Sequence, residues 1–362
     1  MKRYKYVHLL WQGNAHFNKI VVDMINDADN GFVVDEHLFV TPYKHIFDEI
    51  SSYKNVIFDQ ETKPQSADLV NKYAECGDWL FLHGLTGVNE TLKIKRKSRK
   101  KIIWRTWGHD AKGYPYKEHD FIKNAVKWAL NMRWKSVIRS FKLIGTANVA
   151  DEFVIRDKFG IVPTVLLNYP TKNNMVRLNN AKNDAEADRK TINVLVGHSG
   201  ISNDNHIEII NKLKKFNDRD VCFIFVLSYG DDKYIEKVKT YIEENCKEKS
   251  RVILEPMSLE EYTNLLANVD IAIFDGKESY ALSNVAMLIY FNKKFFFNRE
   301  GILAKTFLSE GIPFCCTDEI DNMDFCDFAK KAEYPCNLET SLAPTSYETG
   351  VIRWKKLLNN LK

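Results

Sequence analysis

Two stretches of the chain join a strand-like apolar run to small or ionisable residues. The first is Val194-Leu195-Val196-Gly197-His198-Ser199-Gly200-Ile201-Ser202-Asn203-Asp204-Asn205-His206. Gly197, Ser199 and Gly200 are small enough to let the backbone approach a phosphate. The helix predicted next, with Ser202, Asn203 or Asp204 as N-cap, adds partial positive charge. An ordinary tight βα turn has the same spacing, because short glycine motifs are weak signals. The second stretch is Trp104-Arg105-Thr106-Trp107-Gly108-His109-Asp110. Gly108 permits a sharp turn that puts His109 or Asp110 at the carboxyl edge of a sheet, where a general base can face a cleft. The bland alternative is a strand-end turn carrying two core tryptophans.

Two more predicted strands end in polar groups. Asn298-Arg299-Glu300 follows Lys294–Phe297 and reads either as a ligand-binding triplet or as a solvated loop. Tyr229-Gly230-Asp231-Asp232 follows Val221–Leu227; its adjacent carboxylates point apart and suit a helix cap better than a metal. The seven cysteines are odd in number and lack metal-ligand spacing, so they read as buried free thiols. Neither a metal nor a cofactor is expected.

These ends need strands to hold them. Strand candidates in the first half are Tyr4–Leu10, Asn55–Phe58, Trp79–His83, Ile102–Trp107, Lys142–Gly145 and Thr164–Leu167. In the second half they are Ile192–Gly197, Val221–Leu227, Arg251–Leu254, Val269–Phe274 and Lys294–Phe297. Helical patterns alternate with them, among them Asn205–Phe216, Asp232–Lys247, Leu259–Ala267 and Asn284–Phe291. The alternation, made twice over 362 residues, predicts two doubly wound parallel-sheet α/β domains. Their expected bounds are 1–175 and 191–335, with a terminal segment 336–362. The polar, aperiodic stretch Asn179–Lys190 reads as the linker.

The net charge is only +4 but unevenly spread. Lys93, Lys95, Arg96, Lys97, Arg99, Lys100 and Lys101 crowd one short segment, and a second basic stretch runs from Lys123 to Lys142. In the latter, Ile122, Val126, Ala129, Leu130, Trp134, Val137, Ile138 and Phe141 recur at helical spacing and are expected to face the core. Lys127, Trp128 and Lys135 are then left for anionic lipid headgroups. Recognised nucleic-acid-binding motifs are missing from the sequence, so lipid is favoured over nucleic acid. No apolar run approaches the roughly 20 residues that span a bilayer, and Tyr6–Leu10 is too short for a signal-peptide core. A cytoplasmic protein docked on a membrane surface is the expectation.

Taken together, these pieces resemble the TDP-N-acetylfucosamine:lipid II N-acetylfucosaminyltransferases, glycosyltransferase family 56. The resemblance rests on His8-Leu9-Leu10, on His16-Phe17-Asn18-Lys19, and on Leu82-His83-Gly84. It continues through Trp104-x-x-Trp107-Gly108-x-Asp110, Tyr169-Pro170-Thr171 and Val196-Gly197-His198-Ser199-Gly200 with Ser202, Asn203 and His206. Tyr234-Ile235-Glu236 and Asn298-Arg299-Glu300 complete it. One departure stands out. Where the family carries Gln-Gly-Ile-Gly-Thr, this chain has Tyr280-Ala281-Leu282-Ser283-Asn284, so two glycines become Ala281 and Ser283.

The resemblance implies a GT-B architecture of two facing Rossmann-like domains, with the last helix, around Tyr347–Leu361, crossing back to the first. It implies a metal-independent transfer from a dTDP-sugar of the 4-acetamido-4,6-dideoxygalactose kind to a polyprenyl-diphosphate-linked saccharide. The setting is surface-glycan synthesis (enterobacterial common antigen-like or O-antigen) on the inner face of the bacterial inner membrane. On this reading Asp110 is the base, with His109 and His16 next in line. Gly197, Ser199, Gly200, Asn203, Tyr229, Ser283, Asn284, Asn298, Arg299 and Glu300 face the donor. His8, Asn18, His83, Gly84 and Trp107 lie on the acceptor side, and Lys95, Arg96, Lys97, Arg99, Lys100, Lys127, Trp128 and Lys135 face the membrane. A nucleotide-sugar epimerase or hydrolase of similar form, and a non-catalytic nucleotide-sugar-binding recruiter, remain the rival classes.

Overall fold

A computed structural model describes residues 3–10, 15–85, 87–107, 109–111, 113–115, 120–172, 174–185, 190–278, 281–335, 340–344 and 346–361, with backbone alone for Ala15, His16 and His109. The chain divides into two compact units, Met1–Lys172 with Thr345–Lys362, and Asn173–Pro344.

The first unit is built on β1 (Tyr4–Leu9), β2 (His37–Thr41), β3 (Val56–Phe58), β4 (Gly77–His83), β5 (Ile102–Arg105), β6 (Leu143–Thr146) and β7 (Thr164–Leu166). All pair in parallel, in the order β3-β2-β1-β4-β5-β6-β7. Helices cover both faces, so the central strands are buried on both sides and read as near-continuous apolar runs. The order reverses between β1 and β4, and ligands of open α/β sheets bind outside the carboxyl ends at such a reversal. The helix Tyr347–Asn360 belongs to this unit. Its Val351, Trp354, Leu357 and Leu358 share a core with Val21, Val22 and Ile25, and Trp354 Nε1 donates to the Asn168 carbonyl at 2.8 Å.

The second unit has β8 (Ile192–Val196), β9 (Val221–Val226), β10 (Ser250–Ile253), β11 (Ile271–Phe274), β12 (Lys294–Phe297) and β13 (Cys315–Cys316). These too are all parallel, in the order β10-β9-β8-β11-β12-β13, with the reversal between β8 and β11.

Several expectations need correction. Strands β2 and β13 were not anticipated, because one is a five-residue run behind a polar segment and the other only two residues. The stretch expected as a linker is helical as far as Asp184, within the helix Asn174–Asp184. Leu178 and Ala181, three apart, are buried in the second unit's core, and the polar residues between them are its solvent side.

The helix Phe121–Arg139 departs most from expectation. Only its carboxyl-terminal half uses the predicted stripe, with Trp134, Val137 and Ile138 buried. Ile122 (82% exposed), Val126 (56%) and Ala129 face outward instead. Midway, Asn131 rather than an apolar residue ties the helix down: its Oδ1 accepts from Tyr114 N at 2.9 Å and its Nδ2 donates to Tyr114 O at 3.1 Å.

Candidate active site

In the second unit every donor-side candidate sits at or beyond the carboxyl ends of the strands. Gly197 leaves β8 with φ +68°, and a Cβ there would lie 2.4 Å from His206 Nε2. Asp204, buried, folds back under the turn. Its Oδ2 accepts from His198 N at 3.0 Å, Ser199 N at 3.1 Å and Ser199 Oγ at 3.2 Å, with His198 Nδ1 at 3.0 Å. Burial pushes the Asp204 carboxyl up, but the hydrogen bonds and charge of His198 outweigh this and hold it below the ordinary value. Gly197 N donates to Ile273 O at 2.9 Å and Gly200 N to Tyr229 O at 2.7 Å. All four N–H groups from Gly197 to Gly200 are therefore committed within the protein.

The glycines serve loop packing. Asp231 N donates to Gly200 O at 2.9 Å, and a Cβ on Gly230 would meet Gly200 O at 2.3 Å. Ser199 is wholly buried. The turn expected to cradle phosphate is thus a braced wall. The adjoining helix His206–Leu213 starts without a cap from the Asn205 side chain, the His206 backbone hydrogen-bonds the Tyr234 hydroxyl, and the helix brings its partial positive charge to the same edge.

Asp275, at the end of β11, was not among the expected site residues. Its buried carboxylate accepts from Asn205 Nδ2 at 2.8 Å, Asn298 Nδ2 at 3.3 Å and Thr317 Oγ1. It ties the ends of β8, β11, β12 and β13 together at the β8/β11 reversal. The available signal was an Asp-Gly pair directly after the run Val269–Phe274. Asn203 and Ser283 are exposed there, and Tyr229 is 58% exposed. Asn284 is buried and donates to Tyr262 Oη at 2.8 Å. Arg299 forks onto Asp318 (3.0 Å) and reaches Glu319 (3.2 Å), while Glu300 pairs with Lys277. Among the described residues Cys316, Asp318 and Glu319 group closely enough to hold a metal ion, but Arg299 already occupies both carboxylates. Ala281, in place of the expected glycine, is left-handed with φ +58° and caps the helix Leu282–Tyr290.

In the first unit, His8 on β1 lies between two other imidazoles. Its Nδ1 is 3.1 Å from His83 Nε2, and its Nε2 is 3.0 Å from His37 Nδ1. His83 Nδ1 is 2.7 Å from Tyr169 Oη, which also accepts from Trp107 Nε1 at 3.3 Å. Each link takes one proton, so the tautomer of one imidazole sets the other two. Burial, followed by Arg105, lowers His83 to about 3; burial, followed by Lys5, lowers His37 to about 3. Burial also holds His8 well below its ordinary value, and the row is neutral. His8 and Asn18 are fully enclosed, so neither contacts an acceptor directly. Gly84 turns the chain out of β4 with φ +90°.

Tyr169 and Phe17 were missed as site residues. The Phe17 ring packs edge-on to Trp107 (5.4 Å) and parallel to Tyr169 (6.1 Å), while Arg105 lies 4.5 Å over Tyr169. Phe17 is 42% exposed, so the cluster presents an aromatic surface at the sheet edge. Beside it Asp110 is buried, accepting from Trp104 Nε1 at 3.0 Å and from Trp107 N at 2.9 Å. Gly108 and the side chains of His109 and His16 lie outside the described residues.

Of the expected membrane-facing cations, Lys95, Arg96, Lys97 and Lys100 are exposed, Lys97 in an ion pair with Glu75 at 2.6 Å. Arg99 turns inward instead, donating to the Ile94 and Leu92 carbonyls at 2.7 and 3.4 Å. Lys127 and Lys135 are half-buried, Lys127 donating to Pro115 O at 2.8 Å, and Trp128 is 59% exposed. Among the described residues no helix is long and apolar enough to cross a membrane.

Two parallel-sheet Rossmann-like units with polar groups gathered at the carboxyl-edge reversals have the fold of the GT-B class of glycosyltransferases. Solved structures of similar fold include a glycosyltransferase from Rickettsia africae (TM-score 0.58, 11% identity, 100% of this chain and 95% of that one). Anabaena HepE in complex with UDP is also similar (0.59, 12%, 99% of each), as is sucrose-phosphate synthase from Thermosynechococcus elongatus (0.55, 12%, 99% of each). A family model described as 4-alpha-L-fucosyltransferase, glycosyl transferase group 56, matches residues 4–355, and the chain belongs to that family.

Proposed function

We propose that the protein transfers a 4-acetamido-4,6-dideoxygalactose-like sugar from dTDP to a polyprenyl-diphosphate-linked saccharide on the inner face of a bacterial inner membrane. The product is a surface-glycan intermediate. The observation that carries the donor site is the contact of Asn205 with Asp275 across the β8/β11 reversal, in a chain of family 56. The diphosphate sits near the start of His206–Leu213, beside Asn203, where the helix's partial positive charge favours an anion. Tyr229, Ser283, Asn298 and Arg299 border the nucleoside and sugar. Gly197, Ser199, Gly200 and Asn284 act behind them by holding the wall, and Arg299 takes a phosphate only by exchanging it for Asp318. Preorganised donors of this kind stabilise the leaving diphosphate.

In the acceptor unit, Phe17 and Trp107 offer a face for a sugar ring. The acceptor oxygen attacks the anomeric carbon as its bond to the diphosphate breaks; the hydroxyl proton passes to Asp110, and the nucleoside diphosphate departs. His83 and His8 act by fixing Tyr169, on which Trp107 rests.

Melting temperatures in the presence of dTDP, UDP, GDP and CDP test the donor reading. A ligand at a hundred times its Kd adds about 2.7 kcal/mol. A rise with dTDP above the others supports the reading; a rise confined to another nucleotide removes dTDP.

A further inference from the structure

The first three turns of the helix Phe121–Arg139 carry their apolar side chains outward. Phe121 is 85% exposed and Ile122 82%, with Val126, Trp128 and Met132 between 43% and 59%. On a 3.6-residue helix these positions share one side, with Ala125 and Ala129 between them, also exposed. The buried side of the helix starts only at Asn131. A contiguous exposed apolar strip of roughly 18 Å, the length of twelve helical residues and edged by polar side chains, marks an interaction surface.

The charges around the strip say what covers it. The helix holds Lys123, Lys127, Arg133, Lys135 and Arg139 and no Asp or Glu. Lys123 and Lys127 lie on the other side of the helix, Lys123 paired with Asp120 at 2.9 Å and Lys127 donating to Pro115 O, whereas Lys135 borders the strip and Arg133 and Arg139 follow it on its outer side. The helix Val88–Lys93 packs against it and runs on into the basic segment ending at Lys101. An apolar face carrying Phe and Trp with cations at its borders is the pattern of a helix lying in the headgroup region of an anionic bilayer. A second copy of the chain would bring the same cations against each other.

We infer that the first three turns of Phe121–Arg139 enter the membrane interface, apolar side chains among the acyl chains and the flanking cations on anionic headgroups. This deepens the lipid-acceptor reading, on which it rests for the choice of membrane. Basic residues alone would give a purely electrostatic contact. The strip adds a part that salt does not remove.

The test is co-sedimentation of the full chain with acceptor-free vesicles, of phosphatidylcholine alone or with phosphatidylglycerol. It compares the wild type with the combined variant Phe121→Ser, Ile122→Ser, Val126→Ser, and reads Trp emission alongside. All three positions are exposed, so the variant should melt at the wild-type temperature. The expected result is binding to the anionic vesicles that persists in part at high salt and weakens at least tenfold in the variant. A blue shift in emission should be absent from Trp128→Phe. Unchanged binding by the variant overturns the inference. So does a lipid-free dimer of the wild type that the variant abolishes, which would assign the strip to a second copy. Because these vesicles hold no acceptor, vesicle binding without transfer to a lipid-linked saccharide would instead remove the acceptor reading.

Discussion

Trp104 Nε1 donates to Asp110 Oδ2 at 3.0 Å, so the carboxylate proposed as the base is also the anchor of its own turn. Backbone N–H of Trp107 holds the other oxygen at 2.9 Å. The two roles are separable by substitution. Asp110→Asn keeps the shape and loses the basicity, and general-base removal costs about 10²–10⁴-fold in rate. Transfer should fall by that much, with nucleotide affinity within about threefold, or ~0.7 kcal/mol. Asp110→Ala should in addition lower stability by about 1–3 kcal/mol, because two buried donors lose their acceptor. Near-normal turnover by the Asn variant would exclude Asp110 as base and leave His109 and His16.

Asp204 braces the turn after β8 through two backbone N–H groups and the Ser199 hydroxyl. Asp204→Ala should destabilise by about 2–4 kcal/mol, the cost of stranding several buried donors. It should weaken nucleotide binding although Asp204 contacts no ligand. Urea denaturation and calorimetry read the two effects; full stability in the variant would contradict the bracing role.

Ala281 holds φ +58°, a left-handed conformation that costs an L-residue roughly 1–2 kcal/mol. Glycine removes that strain and gives back about 0.4–1 kcal/mol through its freer unfolded chain. Ala281→Gly is expected to raise stability by about 0.5–1 kcal/mol, seen as a higher denaturation midpoint. A lower midpoint would mean that the methyl group's packing outweighs the strain.

The imidazole row makes stability fall with acid. His8, His37 and His83 are neutral in the fold, with His37 and His83 lowered to about 3, whereas the unfolded chain's imidazoles protonate near 6.5. Between these values the unfolded state binds more protons, so this contribution is complete above about pH 6.5 and is lost as pH drops toward 3. Each buried imidazole adds a slope of up to about 1.4 kcal/mol per pH unit across that window. Melting curves from pH 8 to 4 should show the decline, and His37→Phe should flatten it. Equal slopes in both proteins would contradict the neutral row.

Much of the architecture was legible because a parallel strand buried on both faces must be a short apolar run, as Val194–Val196 and Val269–Phe274 are. His37–Thr41 was not, since the run begins with a histidine that only the sheet explains: His8, on the neighbouring strand, hydrogen-bonds its ring. Periodicity located the helix Phe121–Arg139 and misassigned its first half, because a spacing defines a face without saying whether anything lies against it. The site was half visible. The strand-end turns stood out, but what holds them did not. Asp204 reads in sequence as one of three possible caps, and Asp275 meets Asn205 from 70 residues away. The Tyr169 hydroxyl matters because His83 lies 2.7 Å from it and Trp107 Nε1 donates to it, and no spacing conveys that.

The most direct test of the account is the mass of the lipid-linked product. The full chain is incubated with dTDP-4-acetamido-4,6-dideoxygalactose and a polyprenyl-diphosphate-linked saccharide, with parallel reactions lacking each substrate. The account predicts an acceptor heavier by one sugar residue, dTDP released in equal amount, and no dTDP release when the acceptor is left out. Donor consumption without acceptor would make the protein a hydrolase or epimerase, and tight nucleotide binding with no product across a panel of donors and acceptors would make it a recruiter; either result contradicts the transfer proposed here.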